Sequence, residues 1–327
     1  MKTETASFKN DTKIEYPVTL DELLKANIPP VQYVIKPILP DKGKLLISAS
    51  EGSCKTFFIL NLSCAIGSGM SHYLGMDIIK KPVLCIMGEG GESELKRRYE
   101  YMSTLQGIDK DNISVAYVHS ADLFSEEGRN GMLDMLECCR SGVLILDPIS
   151  QFWTGDENKK EDVSKLMKIF DEFISFFDIS IILVHHWRKP SQTSSSGGQM
   201  ASGSYGWTAN ADGHVTLQGD AGNLVLSFAK VRSGIKPREQ LILRLREEDL
   251  WLELVGTKGN KVYFAKLDEI FDSLGSSRVK LSELAKKVKD MGFCSRNTLE
   301  KVICQDHKYV IDRTNKRCLW VIKQPYS

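Results

Sequence analysis

Eight consecutive residues, Ala49-Ser50-Glu51-Gly52-Ser53-Cys54-Lys55-Thr56, stand between an apolar run, KLLISA (44–49), and a helix-patterned run that starts at Lys55. A strand, a tight loop and a helix start in that order turn backbone N–H groups toward a phosphate, and the helix N-terminus adds positive potential. Lys55 is spaced to reach the β- and γ-phosphates of a nucleotide, and Thr56 to ligate Mg²⁺. The segment therefore reads as a P-loop, with Ser50, Glu51, Gly52, Ser53, Cys54, Lys55 and Thr56 around the phosphates. It departs from G-x-x-x-x-G-K-[ST] twice. Ala49 replaces the first glycine where the strand ends, a mild change. Cys54 replaces the glycine before the lysine, where a missing Cβ lets the backbone turn tightly and approach phosphate. Cys54 predicts a strained backbone, a narrower cradle or weaker nucleotide binding.

Acidic and basic residues follow at the ends of later apolar runs. Glu89 comes just after VLCIMG (83–88), and Asp147 ends VLILD (143–147). One such carboxylate can hold Mg²⁺ while a separate one orients an attacking water. Each acid alone could equally cap a strand or be solvated; their order favours the functional reading. His185 and His186 end SIILVHH (180–186), at the carboxyl edge of the sheet where ligands of α/β folds bind. A lone buried histidine more often serves structure, but a pair at that edge favours function. SFAKVRSG supplies Lys230 and Arg232, and their alternate spacing points both cations to one side of a strand. They read either as a soluble edge or as a finger reaching a neighbour's γ-phosphate.

The elements that must position these residues are apolar strands separated by helices. Further strands are expected at ISVAYV (113–118), HVTLQ (214–218) and LVLSFAK (224–230), and helices at 55–69, 92–106, 132–141 and 163–178. Such alternation predicts an α/β fold with a mostly parallel sheet, antiparallel at its later edge, where the helices run out. Residues 1–43 form an arm with a short helix, TLDELLKANIPP, capped by Thr19 and Glu22. Residues 44–257 form the core. Residues 262–327 follow the order helix, helix, turn, helix and hairpin, and the segment resembles a winged helix-turn-helix.

The chain has 327 residues, a net charge of +1 and eight cysteines without a C-x-x-C pair, so no zinc site or disulfide framework is expected. No apolar run reaches membrane length and the start has no signal-peptide pattern, which predicts a cytoplasmic protein that does not enter membranes. Charge is uneven. From Val262 to Ser327 there are 13 Lys and Arg against 8 Asp and Glu, a net of +5. A basic tail can face nucleic acid or can simply be a solvated helix face.

The order of P-loop, strand-end Glu, LILD, HH-x-R-K and AK-x-R-x-G resembles the RecA-like ATPases of the RepA and DnaB replicative-helicase group, with KaiC and RadA as more distant kin. The resemblance spans roughly residues 18–256. It implies a RecA-like core binding ATP and Mg²⁺, with Glu89 as catalytic glutamate, Asp147 as Walker B acid beside Thr56, and His186 as γ-phosphate sensor. It implies Lys230 and Arg232 as groups acting across a subunit interface in a homo-oligomer, expected as a hexameric ring. It also implies single-stranded DNA in the ring channel, touched by Lys159, Lys160, Arg188 and Lys189. In the winged helix, Arg296, Asn297, Lys301, Lys316 and Arg317 would lie nearest duplex DNA. The expected function is a DNA-associated ring motor of RepA helicase type in plasmid, phage or mobile-element replication. The alternative is a DNA-binding regulator or scaffold whose degenerate P-loop uses nucleotide as a slow switch.

Overall fold

A computed structural model describes residues 17–50, 52–105, 107–186, 205–232, 236–237, 239–258, 270–271, 275–290, 299–300, 303, 309–312 and 319–323. Glu51, Arg188, Lys189, Arg296, Asn297, Lys301, Lys316 and Arg317 lie outside the described residues. By internal contacts the chain divides into residues 1–32 and 33–327.

In the first unit, α1 (Leu20–Lys25) begins with the expected capping box. The Glu22 backbone N–H donates to Thr19 Oγ1 at 3.3 Å, and the Thr19 backbone N–H donates to Glu22 Oε2 at 2.8 Å.

In the second unit, β1 (Tyr33–Lys36) and β2 (Leu39–Pro40) precede β3 (Lys44–Ala49), the strand that feeds the P-loop. Then come α2 (Lys55–Ser68), β4 (His72–Tyr73), β5 (Met76–Ile78), β6 (Val83–Met87), α3 (Gly91–Met102) and β7 (Ile113–Tyr117). They are followed by α4 (Glu126–Cys139), β8 (Val143–Asp147), α5 (Lys160–Phe177) and β9 (Ser180–His186). After the undescribed 187–204, α6 (Tyr205–Asn210) leads into β10 (Gly213–Asp220), β11 (Asn223–Val231), β12 (Gln240–Leu245) and β13 (Leu252–Lys258).

The main sheet has nine strands in the order β13-β12-β11-β10-β3-β9-β8-β6-β7. The six from β10 to β7 are parallel, and β11, β12 and β13 continue as an antiparallel edge. This is the α/β, mostly parallel arrangement that the apolar runs predict. Central strands are buried along their whole length because helices cover both faces. One face carries α2, whose residues from Phe58 to Gly67 are all buried. The other carries α5, whose buried Val163, Leu166, Met167, Phe170, Phe173 and Ile174 recur at helical spacing.

Three features differ from the sequence expectation. Helix α4 begins at Glu126 rather than near Met132, because Ser125 Oγ caps it by accepting from Gly128 N–H at 3.0 Å. Gly128 also packs so close to the Asp122 carbonyl that a Cβ there would lie 2.1 Å from the oxygen. A second, four-stranded sheet, β2-β1-β5-β4, buries Val34, Ile35, Ile38 and Leu39 in the core, so residues 33–40 pack with the body. In the C-terminal part, a strand not expected from the sequence, β14 (Arg278–Lys280), precedes α7 (Leu281–Asp290). It forms a three-stranded sheet with β15 (Tyr309–Asp312) and β16 (Trp320–Lys323) in the order β14-β16-β15. Phe271, Val279, Leu281, Leu284, Leu299 and Val321 give this region a core of its own. Most of the expected third helix falls outside the described residues. No helix among the described residues is long and apolar enough to cross a membrane.

Candidate functional site

The strand order sets the site. β9 lies between β3 and β8, and β6 follows β8. Ala49 pairs in register with His186, and Met87 with Asp147. The carboxyl ends of four parallel strands thus bring the P-loop, His186, Asp147 and Glu89 to one edge.

The loop has room for an anion. Gly52 has φ +76, and nothing lies within 4 Å of where its Cβ would be. Ser53 is buried, and its hydroxyl donates to the Ser50 carbonyl at 2.5 Å. The Lys55 ammonium lies 3.4 Å from the same carbonyl, so its side chain turns back over the loop. Cys54 adopts φ +54, ψ +24, a left-handed conformation. Glycine enters that region freely, whereas an L side chain there costs roughly 1–2 kcal/mol. The left-handed backbone agrees with the strain expected at Cys54. Burial raises the thiol pKa above its ordinary value, Asp220 adds to this, and Lys55 opposes it. The group is therefore a neutral thiol near pH 7 rather than a thiolate.

Asp147 is buried at the end of β8, and its Oδ2 has no hydrogen-bond partner among the described residues. Burial pushes its carboxyl up to about 6, while the Lys55 charge and a hydrogen bond with the Thr56 side chain pull it down. Glu89 pushes it further up and Arg98 opposes. A buried carboxylate oxygen with no donor is costly unless a cation takes it. The donor set, one carboxylate oxygen beside the Thr56 hydroxyl at a phosphate loop, fits Mg²⁺, a hard cation bound by few protein oxygens.

Glu89 Oε2 and His186 Nε2 are 3.7 Å apart at the same edge. His185 points to the opposite face, where its Nε2 is 3.2 Å from Glu157 Oε2 and its ring lies 5.2 Å from that of Trp207. The two histidines are therefore separated in role by strand alternation, and only His186 faces Glu89. Lys159 and Lys160 are exposed at the start of α5.

Lys230 and Arg232 are not brought to this P-loop. Lys230 pairs with His214, which pairs with Leu46, three residues before the P-loop end of β3 and two strands away. That is roughly 10 Å along the strand and 10 Å across the sheet. Both cations instead reach the end of α6. Lys230 Nζ donates to the Thr208 and Ala209 carbonyls at 2.7 and 2.9 Å. Arg232 donates to the Ala209 carbonyl at 3.1 Å and to Asp212 at 2.8 Å. Burial lowers the Lys230 pKa, Arg232 adds to this, and Asp212 opposes it.

Sequence reasoning passed over His214. It is buried, with Nε2 at 2.9 Å from Ser48 Oγ and Nδ1 at 3.0 Å from Thr208 Oγ1. Burial, helped by the His185 and Lys230 charges, lowers its pKa to about 4, so it is neutral. The only available signal was a histidine opening the run HVTLQ.

An apolar groove of about 500 Å³, lined by Leu95, Tyr99, Ile113 and Tyr117 among others, lies between α3 and the edge strand β7. None of the candidate nucleotide residues lines it.

A family model described as an AAA domain matches residues 10–192, a stretch that contains the P-loop, Glu89, Asp147 and His186. Among solved structures, a KaiC-like protein from the hyperthermophilic archaeon Pyrococcus horikoshii is similar at 13% identity with a TM-score of 0.49. The match covers 68% of this chain and 100% of that one. No curated protein matches.

Proposed function

Because the chain belongs to the AAA-domain family, whose P-loop core binds nucleotide, we propose that it is an ATP-hydrolysing ring motor of RepA helicase type acting on DNA. The carrying observation is Asp147 Oδ2, which has no hydrogen-bond partner among the described residues and is buried beside Lys55 and Thr56 at the edge where Glu89 and His186 meet. Thr56 and Asp147 would hold Mg²⁺, which when bound neutralises charge on the β- and γ-phosphates.

The loop backbone around Gly52 binds phosphate through its N–H groups, and Lys55 adds a cation. Glu89 orients the attacking water and accepts its proton. His186, 3.7 Å from that carboxylate, can donate a hydrogen bond to a γ-phosphate oxygen and so link the nucleotide state to β9. Lys230 and Arg232 lie too far from the P-loop of their own chain to serve it, which supports action on a neighbour's nucleotide. In that reading the protein is a homo-oligomer, expected as a hexamer, with single-stranded DNA in its channel. Lys159 and Lys160 at the start of α5 are exposed cations available to its phosphates.

ATP turnover with and without single-stranded DNA, measured together with oligomer mass, tests this. The motor reading expects Mg²⁺-dependent hydrolysis, stimulated by the strand, from a ring-sized assembly. A monomer that hydrolyses nothing in either condition would refute it.

The left-handed Cys54 favours one second reading, in which nucleotide is a slow switch for a DNA-binding regulator. Tight Mg·ATP binding with negligible turnover, unaffected by DNA, would select it.

A further inference from the structure

A row of polar groups crosses the α6 side of the sheet behind the candidate site. Glu157 meets His185 at 3.2 Å, at the end of the strand beside β3. On β3 itself, Ser48 Oγ meets His214 Nε2 at 2.9 Å, and His214 Nδ1 meets Thr208 Oγ1 at 3.0 Å. From Thr208 the row continues through the backbone, because the Thr208 and Ala209 carbonyls accept from Lys230, and that of Ala209 from Arg232.

The middle of this row depends on one side chain. A neutral imidazole offers one donor and one acceptor, and each hydroxyl can supply the other role, so the bridge forms with either tautomer. His214 is only 3% exposed and Ser48 is fully buried. Removing the ring would strand the buried Ser48 hydroxyl, leave the half-buried Thr208 hydroxyl without its imidazole partner and open a gap. Helix α6 has six residues, too few to hold itself in place. Its position comes from buried Trp207, from Gly206 packed against Val163, and from the His214 bridge to Thr208. The carbonyls at its end are the seat of Lys230 and Arg232.

We propose that His214 is a positioning residue for the cations that act across the subunit interface. It fixes Thr208, and with it the α6 carbonyls that seat Lys230 and Arg232, and it ties that seat to Ser48, two residues before Ser50 of the phosphate loop. The proposal rests on the shared-site reading above. Its signature is a defect that belongs genetically to the cation side of the interface, although His214 bonds directly to the P-loop strand.

Mixed assemblies of the full chain test it. The reference mixture combines Lys55→Ala subunits, defective in the cradle, with Arg232→Ala subunits, defective in the cation, and recovers part of the turnover if sites are shared. For His214→Ala we expect Mg·ATP affinity within about twofold of the parent and turnover reduced about tenfold. It should recover turnover when co-assembled with Lys55→Ala and not when co-assembled with Arg232→Ala. Thr208→Val should show the same pattern, and Thr208→Ser, which keeps the hydroxyl, should behave as the parent. If His214→Ala does not fold, the two Thr208 variants decide by the same mixtures. Recovery with Arg232→Ala but not with Lys55→Ala would place His214 on the cradle side and overturn the proposal. So would unchanged turnover, or equal behaviour in both mixtures. Failure of the reference mixture despite proven co-assembly would instead overturn the shared-site reading.

Discussion

Glu89 Oε2 lies 3.7 Å from His186 Nε2, and the two groups meet across the end of the intervening strand β8, whose last residue is Asp147. In the proposed function, a base and a hydrogen-bond donor to the γ-phosphate would therefore face each other over the carboxylate that would hold Mg²⁺. Glu89→Gln keeps the shape of the side chain but cannot accept a proton. It should lower turnover by about 10²–10⁴-fold while sparing ATP binding. Single-turnover hydrolysis and equilibrium nucleotide binding separate the two effects. Parent-like turnover would remove Glu89 from the role of water-orienting base.

Asp147 should cost stability in the absence of metal. Its carboxyl is pushed up to about 6 in the folded protein, above its ordinary 3.8. The folded state then holds a proton more tightly than the unfolded chain, so stability falls as pH rises through this window. The cost is fully present above pH 6 and amounts to about 3 kcal/mol. Asp147→Asn should therefore melt higher than the parent at pH 8 in chelator, and the advantage should vanish near pH 4. The same substitution should abolish the rise in Tm that Mg·ATP gives the parent. A lower Tm at pH 8 without metal would mean that the carboxylate is satisfied by the protein alone.

Cys54 carries a left-handed backbone and a neutral, half-buried thiol. Cys54→Gly removes the Cβ that strains this conformation, and should tighten nucleotide binding or raise turnover, by up to about 30-fold for about 1–2 kcal/mol. Cys54→Ala removes the sulfur but keeps the Cβ, so it should resemble the parent. Equal gains in both variants would assign the effect to the thiol. Thiol-blocking reagents should inhibit the parent and spare the glycine variant.

What could be read from the chain followed the physics of each part. KLLISA, VLILD and SIILVHH are strands to the residue because a strand buried on both faces needs an unbroken apolar run. That the P-loop, Glu89, Asp147 and His186 share one sheet edge was legible, because each follows or ends an apolar run that forms a parallel strand. The small sheet was not, since β2 and β4 have two residues each and show no periodicity. The place of Lys230 and Arg232 was not legible either. Their acceptors include the carbonyls of Thr208 and Ala209, and a backbone carbonyl leaves no mark on residue type. His214 stayed hidden for a related reason. One histidine in a strand reveals a bridge only after the register sets it beside Ser48 and α6.

The C-terminal region offers a last prediction that is independent of the ATPase site. Its three strands and separate core follow a net charge of +5 between residues 262 and 327. Lys316 and Arg317 fall in sequence between the paired strands β15 and β16, and Arg296, Asn297 and Lys301 fall between α7 and β15. If this region binds duplex DNA, each phosphate that a cation neutralises releases counterions. Affinity then falls with salt by close to one logarithmic unit per phosphate. Full-length protein carrying Lys316→Ala and Arg317→Ala should therefore bind duplex with a salt slope shallower by about two. Arg296→Ala should instead narrow the difference between preferred and random duplexes, because a residue reading base edges contributes to specificity. The rival account is a surface for a partner protein, for which a +5 charge is incidental. An unchanged salt slope in the double variant, with duplex binding by the parent intact, would remove the hairpin from the DNA contact. No duplex binding by the parent even at low salt would move the whole region to the partner-binding class.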